Sequence, residues 1–227
     1  KPGQLTCKTE SLIWCDFYNE PKETLKYDFL LPGEKAELKT QIKLGDNRLF
    51  VVASTHKGED ELALNVFRSI KAKNADAKLL IAPRHPERYE QVEALLKKED
   101  YSYSKRSLNG DFEQNDVIML DTMGELSKFF SLGYLAFIGG SFSGTGGHNP
   151  LEASIFNIPV VSGPSTFNFK DIYKYLTDDK AAFVINDEKE LFEIMLKLLK
   201  DEEFYKERQA DKNGKSIINE AEKNKGS

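Results

Sequence analysis

At 227 residues the chain can bury a full core, and its 40% hydrophobic and 30% charged residues describe a globular protein, not a disordered, fibrous or membrane-embedded one. A formal net charge of −5, with lysines scattered among acids, leaves no basic stripe for a nucleic-acid backbone, so no nucleic-acid partner is expected. No apolar run is long enough to cross a bilayer, and the start carries neither a signal pattern nor an initiator Met; the chain reads as cytosolic and as a piece of something longer.

Residues 1–47 read as a linker or domain edge. They hold short apolar clusters such as Leu12-Ile13-Trp14, a Pro32-Gly33 break and a short amphipathic stretch to Leu44. Cys7 and Cys15 lie here with no histidine nearby, so neither a zinc site nor any other function is assigned to them. From Leu49 onward short apolar runs alternate with helical patterns: LFVVA (49–53), KLLIA (78–82), a weaker run near Tyr101 to Ser104, VIML (117–120), YLAFIG (134–139), IPVVS (158–162) and AAFVI (181–185). Between the runs, apolar residues such as Leu62, Val66, Phe67 and Ile70, or Val92, Leu95 and Leu96, keep helical spacing with charges opposite. Six or seven βα units are too few to close a barrel, so an α/β fold with an open doubly wound parallel sheet, Rossmann-like, is expected over 48–222. Glu188 to Glu222 reads as one or two helices, and residues 223–227 as a frayed tail.

In such a sheet the strands all end at one edge, so residues just after them converge. His56, His85 and His148, the three histidines of the chain, all fall at these junctions. Each can be a turn or capping residue; together they favour a polar site. After YLAFI come five glycines within nine residues (Gly139 to Gly147), then Asn149-Pro150, a pattern that caps and starts a helix. Backbone N–H groups and the helix start can hold a phosphate or carboxylate here, or the stretch is an ordinary flexible loop. Glu152 can close a capping box or reach a ligand's hydroxyl groups. Arg84, between a buried strand and Pro86, can project over the ligand edge or pair with Glu87, whereas Arg88 is read as structural. Phe167 and Phe169 can flank a pocket or pack beneath the loop.

The junctions together resemble the Kdo transferases of lipid A biosynthesis, which add 3-deoxy-D-manno-oct-2-ulosonic acid to the lipid A precursor. The segments that carry the resemblance are STHKGED (54–60), PRHPER (83–88), DTMGEL (121–126), FIGGS (137–141), GGHNPLEA (146–153) and GPSTFNFKDI (163–172), in the family's order. Thr24 to Asp28 look like the end of a further family segment, while residues 1–23 match nothing. The resemblance implies the C-terminal, donor-binding half of a GT-B glycosyltransferase that uses CMP-Kdo and inverts the anomeric centre. It also implies work at the cytoplasmic face of the bacterial inner membrane. Ser54, Arg84, His85 and the Thr122-Met123 turn are then donor contacts, with Arg84 and that turn at the cytidine and Glu152 at the ribose. Ser141 and the Gly146-Gly147-His148-Asn149 backbone are at the phosphate, and Gly140 is a further donor contact. No metal or other cofactor is implied. The general base, and the surface that meets the lipid acceptor, belong to an N-terminal domain absent from this sequence, so no catalytic residue is assigned. One departure is that Ser143-Gly144-Thr145 stands where many members carry a Pro-Arg pair. Two rivals are a UDP-sugar transferase or epimerase of GT-B type and a non-catalytic Rossmann-like module.

Overall fold

The computed structural model describes residues 30–209, so the readings made for Cys7, Cys15, residues 24–28 and the chain beyond 209 lie outside the described residues. Each apolar run becomes a strand: β1 (Arg48–Thr55), β2 (Ala77–Pro83), β3 (Tyr103–Lys105), β4 (Val117–Met119), β5 (Gly133–Ile138), β6 (Val160–Ser162) and β7 (Ala182–Val184). All pair in parallel, in the order β3-β4-β2-β1-β5-β6-β7. The weak run near Tyr101 forms one of the two edge strands, which pairs on one side only and so needs less apolar sequence.

The central strands are apolar on both faces because both faces are covered. In β1, Leu49, Val51 and Ala53 enter one core while Phe50 and Val52 enter the other, the period-two alternation of an extended chain. Against the Phe50 face lie α2 (Glu59–Lys71), α3 (Tyr89–Lys98), α7 (Glu188–Lys200) and α8 (Glu202–Arg208). Helix α2 buries Leu64, Phe67 and Ile70, and α7 buries Leu191, Met195 and Leu198, the i, i+3, i+4, i+7 stripe of an amphipathic helix. Asp187 caps α7 by accepting from Glu190 N at 2.8 Å, and Asp201 separates it from α8 by accepting from Phe204 N at 2.8 Å. The C-terminal region thus resolves into two helices up to Arg208.

The opposite face carries α1 (Pro32–Gln41), α4 (Leu126–Phe130), α5 (Leu151–Ser154) and α6 (Lys170–Asp178). Leu38, Ile42 and Leu44 are buried there, and Phe112 N donates to Ile42 O at 2.8 Å. The end of the segment read as linker or domain edge is therefore integral to this core. From β1 the chain works outward through β2 to β4 and β3, then returns to lay β5 on the other side of β1. That reversal splays the connections after β1 and β5 apart and opens a crevice at their C-terminal ends.

Candidate functional site

The crevice is a cleft of about 390 Å³, large enough for a small molecule. Its rim is formed where β1, β2, β4 and β5 end. At the close of β1 a register irregularity between Ala53 and Thr55 sets Ser54 in the left-handed region, φ 55°. This turns Ser54 toward the cleft and Thr55 inward. The Thr55 hydroxyl donates to Asp60 Oδ1 at 2.5 Å; Arg88 donates to Asp60 Oδ2 and, at 2.8 Å, to the Thr55 carbonyl. Arg88 is thus a structural ion pair, as its position suggested. Arg84, four residues earlier and exposed, lines the cleft instead, and its charge acts on both Glu152 and His148.

The glycine segment is folded against its own chain, which corrects part of the expected phosphate site. Glu59, wholly buried at the start of α2, accepts from Gly140 N at 2.7 Å and from Ser141 N and Phe142 N at 2.8 Å each. Gly147 N and His148 N donate to the Gly140 and Gly139 carbonyls at 2.8 and 3.1 Å. These amides therefore have no donor left for a ligand, since each carries a single hydrogen. Ser141 is also wholly buried, its hydroxyl bonded to Ile138 O and Gly163 N, and so cannot touch one. Gly146 and Gly147 are buried too: a Cβ on Gly146 would come within 2.6 Å of Phe167 and Asn168. Gly139 allows the closest approach, because a Cβ there would stand 2.5 Å from Ser54 O. The loop is tied to its own chain through these amides and is not an open cradle.

The helix it leads to is a single turn, Leu151–Ser154. Asn149 Oδ1 accepts from Leu151 N at 3.1 Å, so the Asn-Pro pair does start the turn, one residue later than its sequence position suggested. A single turn adds little dipole, which weakens the expected helix-start contribution further. Glu152 closes no capping box and lines the cleft; burial pushes its carboxyl up, with Arg84 pulling the other way.

Of the residues expected to meet a ligand, the cleft brings together Ser54, Arg84, Thr122, Met123, His148, Asn149 and Glu152. His85, Gly140, Ser141, Gly146 and Gly147 are not among its lining residues. His85 stands outside it, exposed, edge-on to the His56 ring at 5.6 Å between centroids. His56 in turn stacks on His148 at 5.2 Å, with their Nε2 atoms 2.9 Å apart, one as donor and one as acceptor. Burial holds the His148 imidazole down at about 4, helped by Arg84 and His56. His56 is also lowered by burial, against the pull of Glu59. Both rings are thus neutral near pH 7.

The remaining wall is apolar. Met123 is 71% exposed on the turn after β4, with Tyr89, Leu126 and Phe169 around it. The Thr122 hydroxyl faces away, donating to Glu125 Oε2 at 2.5 Å, and Glu125 pairs with Arg106 at 3.0 Å, which braces the turn. Phe169 packs on the core beneath the cleft while Phe167 stays exposed. Tyr89 was not singled out from sequence; an aromatic opening a helix just after the Pro86 turn was its only signal. The site therefore offers apolar surface for a flat group, a carboxylate for hydroxyl donors, and one guanidinium with neutral imidazole and amide groups for an anion. Among the described residues no cluster of three or more His, Cys, Asp or Glu side chains is placed to hold a metal ion.

No family model matches the chain. Against individual proteins the likeness is clear: it is 40% identical over 164 residues to the 3-deoxy-D-manno-octulosonic acid transferase of Haemophilus influenzae, covering 72% of this chain and 38% of that protein. The chain therefore spans about two fifths of that relative's length. The C-terminal CMP-Kdo binding domain of WaaA from Acinetobacter baumannii superposes with a TM-score of 0.71 at 28% identity, over 84% of this chain and 95% of that one. Anabaena HepE in complex with UDP and glucose shares the fold alone, at 12% identity and a TM-score of 0.58 over 85% of this chain and 49% of that one. In sequence and in fold, the chain belongs to the Kdo transferase family of glycosyltransferases and is the C-terminal, Rossmann-like domain of their GT-B architecture.

Proposed function

We propose that this domain binds CMP-Kdo, the sugar donor for transfer of Kdo to a lipid A precursor. One observation carries the reading: Arg84, His148, Asn149, Glu152 and the Thr122-Met123 turn, scattered over the sequence, line a single cleft. In this reading the base lies against Met123, Tyr89 and Leu126, and Glu152 accepts from the ribose hydroxyls. The phosphate is held by Ser54, His148 and Asn149 side chains with Arg84 supplying the charge. That charge stabilises CMP as it departs and the sugar develops oxocarbenium character, and no metal is needed for it. The general base and the acceptor surface come from the N-terminal half of the relatives' length, and the whole enzyme works at the cytoplasmic face of the inner membrane. The chain alone binds donor nucleotide without turnover; Kdo transfer by it alone would overturn that division of labour.

Calorimetric titration with CMP, UMP and UDP tests the reading. CMP is expected to bind tightest, and Arg84→Ala and Glu152→Ala to weaken it by about tenfold or more each, with thermal stability unchanged. Tighter UDP than CMP would favour a UDP-sugar enzyme, and CMP binding unaltered in both variants would favour a non-catalytic module.

A further inference from the structure

Four backbone N–H groups converge on the carboxylate of Glu59. Its Oε2 accepts from His56 N at 2.8 Å and Gly140 N at 2.7 Å, and its Oε1 from Ser141 N and Phe142 N at 2.8 Å each. Successive N–H groups converging from a glycine loop form a concavity that selects an anion. Here the anion is internal, delivered from the first turn of α2 across 81 to 83 residues of sequence to the loop amides. Charge-assisted bonds to a carboxylate are short and directional, so they fix the loop in the absence of any ligand.

Two routes lead from this carboxylate to the cleft. It holds the His56 backbone, and the His56 ring meets His148 Nε2 at 2.9 Å. It also holds Gly140, whose carbonyl takes Gly147 N and the Thr145 hydroxyl, while the His148 ring lies 2.9 Å from where a Gly140 Cβ would stand. His148 and Asn149 follow directly and line the cleft.

We propose that Glu59 is a positioning residue, the permanent internal anion of the glycine loop, and that it sets His148 and Asn149 in place for the nucleotide. The affinity arm of the test rests on the CMP reading above; the loop arm does not. Neither close relative of the side chain can substitute. Gln presents an NH₂ group to N–H donors, and Asp is one methylene short of all four. Acetate, however, has the same heavy atoms that Glu59→Ala removes.

The experiment compares the full chain with Glu59→Ala and the volume-conserving Glu59→Gln. It follows amide spectra and hydrogen exchange of residues 140–142, and CMP affinity with and without acetate against chloride of equal ionic strength. Expected are faster exchange at those amides in both variants and CMP affinity lowered by about tenfold or more. Acetate, and not chloride, should restore both properties in Glu59→Ala. CMP affinity within about twofold of wild type in either variant would overturn the proposal. So would acetate having no effect on a folded Glu59→Ala, and if that variant does not fold, unchanged exchange in Glu59→Gln would do the same. Failure of the wild-type chain to bind CMP would strike the nucleotide reading; the acetate response of the loop amides and of the His148 ring signals then decides the role of Glu59.

Discussion

Asp60→Ala gives a direct measure of how the ligand edge is held together. The Asp60 side chain is 1% exposed and its partner Arg88 only 13%, so the pair is effectively removed from water. Burial drives the Asp60 carboxyl up against the opposing hydrogen bonds from Thr55 and Arg88, which places desolvation ahead of any single partner. Removing the acid leaves a guanidinium in the interior with no counter-ion, a loss of about 3–5 kcal/mol. The Thr55 hydroxyl also loses its acceptor, and Arg88 already carries one buried nitrogen, Nε, without a partner. At about 2–4 °C per kcal/mol for a domain of this size, the melting temperature should fall by roughly 6–20 °C. Asp60→Ala/Arg88→Met removes both charges and should recover at least half of the loss, because the uncompensated cation is gone. Urea unfolding followed by far-UV circular dichroism reads all three proteins on one scale. A single mutant that loses less than about 1 kcal/mol, or a double mutant that recovers none of the loss, would refute the claim that desolvation governs this pair.

Four further outcomes are expected. The folded His148 imidazole titrates at about 4, below its ordinary 6.5, so the unfolded chain takes up that proton first. Stability is then full above pH 6.5 and falls as pH drops toward 4, by at most about 3 kcal/mol from this group, with His56 acting in the same direction. Urea midpoints at pH 7 and 5 should show the fall, with a smaller one in His148→Gln; Glu93, held at about 2 by Lys97, Lys105 and Tyr103, titrates below this window, and the carboxyls that burial raises, Glu152 and Asp60, act in the opposite direction in both proteins. A fall of equal size in the wild type and in His148→Gln would contradict the sign for His148. Gly139→Ala should cost about 1–3 kcal/mol or more, because the new Cβ meets Ser54 O at 2.5 Å and Thr55 Cα at 2.8 Å, both backbone atoms. Gly33→Ala, in the first turn of α1 with nothing within 4 Å, should be neutral or stabilising by about 0.4–1 kcal/mol in the same denaturation assay. Glu152→Gln removes a charge that burial disfavours, so the melting temperature should hold or rise while CMP affinity falls; a fall in both would assign Glu152 to the fold instead.

The sheet was legible because its strands are buried on both faces, and Leu49 to Ala53 or Leu79 to Ala82 can only read as continuous apolar runs. The order of strands was less so: that β4 lies inside β3 depends on pairing between distant segments, which no local pattern records. The convergence of His56 with His85 and His148 followed from one rule about where parallel strands end. The glycine loop was misread in part for a definite reason. A sequence displays the donors of such a loop, but its acceptor, Glu59, looked like an ordinary first-turn helix acid. Its one distinguishing feature, full burial beside an equally buried Asp60, exists only in the folded chain.

The internal carboxylate also bears on which nucleotide suits the cleft. Five amides of the loop, those of Gly140, Ser141, Phe142, Gly147 and His148, donate within the chain. Thr145 brings no charge, its hydroxyl being bonded to Gly140 O at 2.9 Å. Burial keeps His148 and His56 neutral, leaving Arg84 as the formal cation among the lining residues. A diphosphate brings a second phosphoryl group into the same space, and each added charge needs a cation or free N–H groups once water is excluded. A monophosphate can be matched by one guanidinium and a few neutral donors. The electrostatics thus favour a nucleoside monophosphate leaving group over a diphosphate. Converting Thr145 to Arg supplies the missing cation and should narrow the preference for CMP over UDP; an unchanged ratio of the two affinities would show that charge does not set the choice.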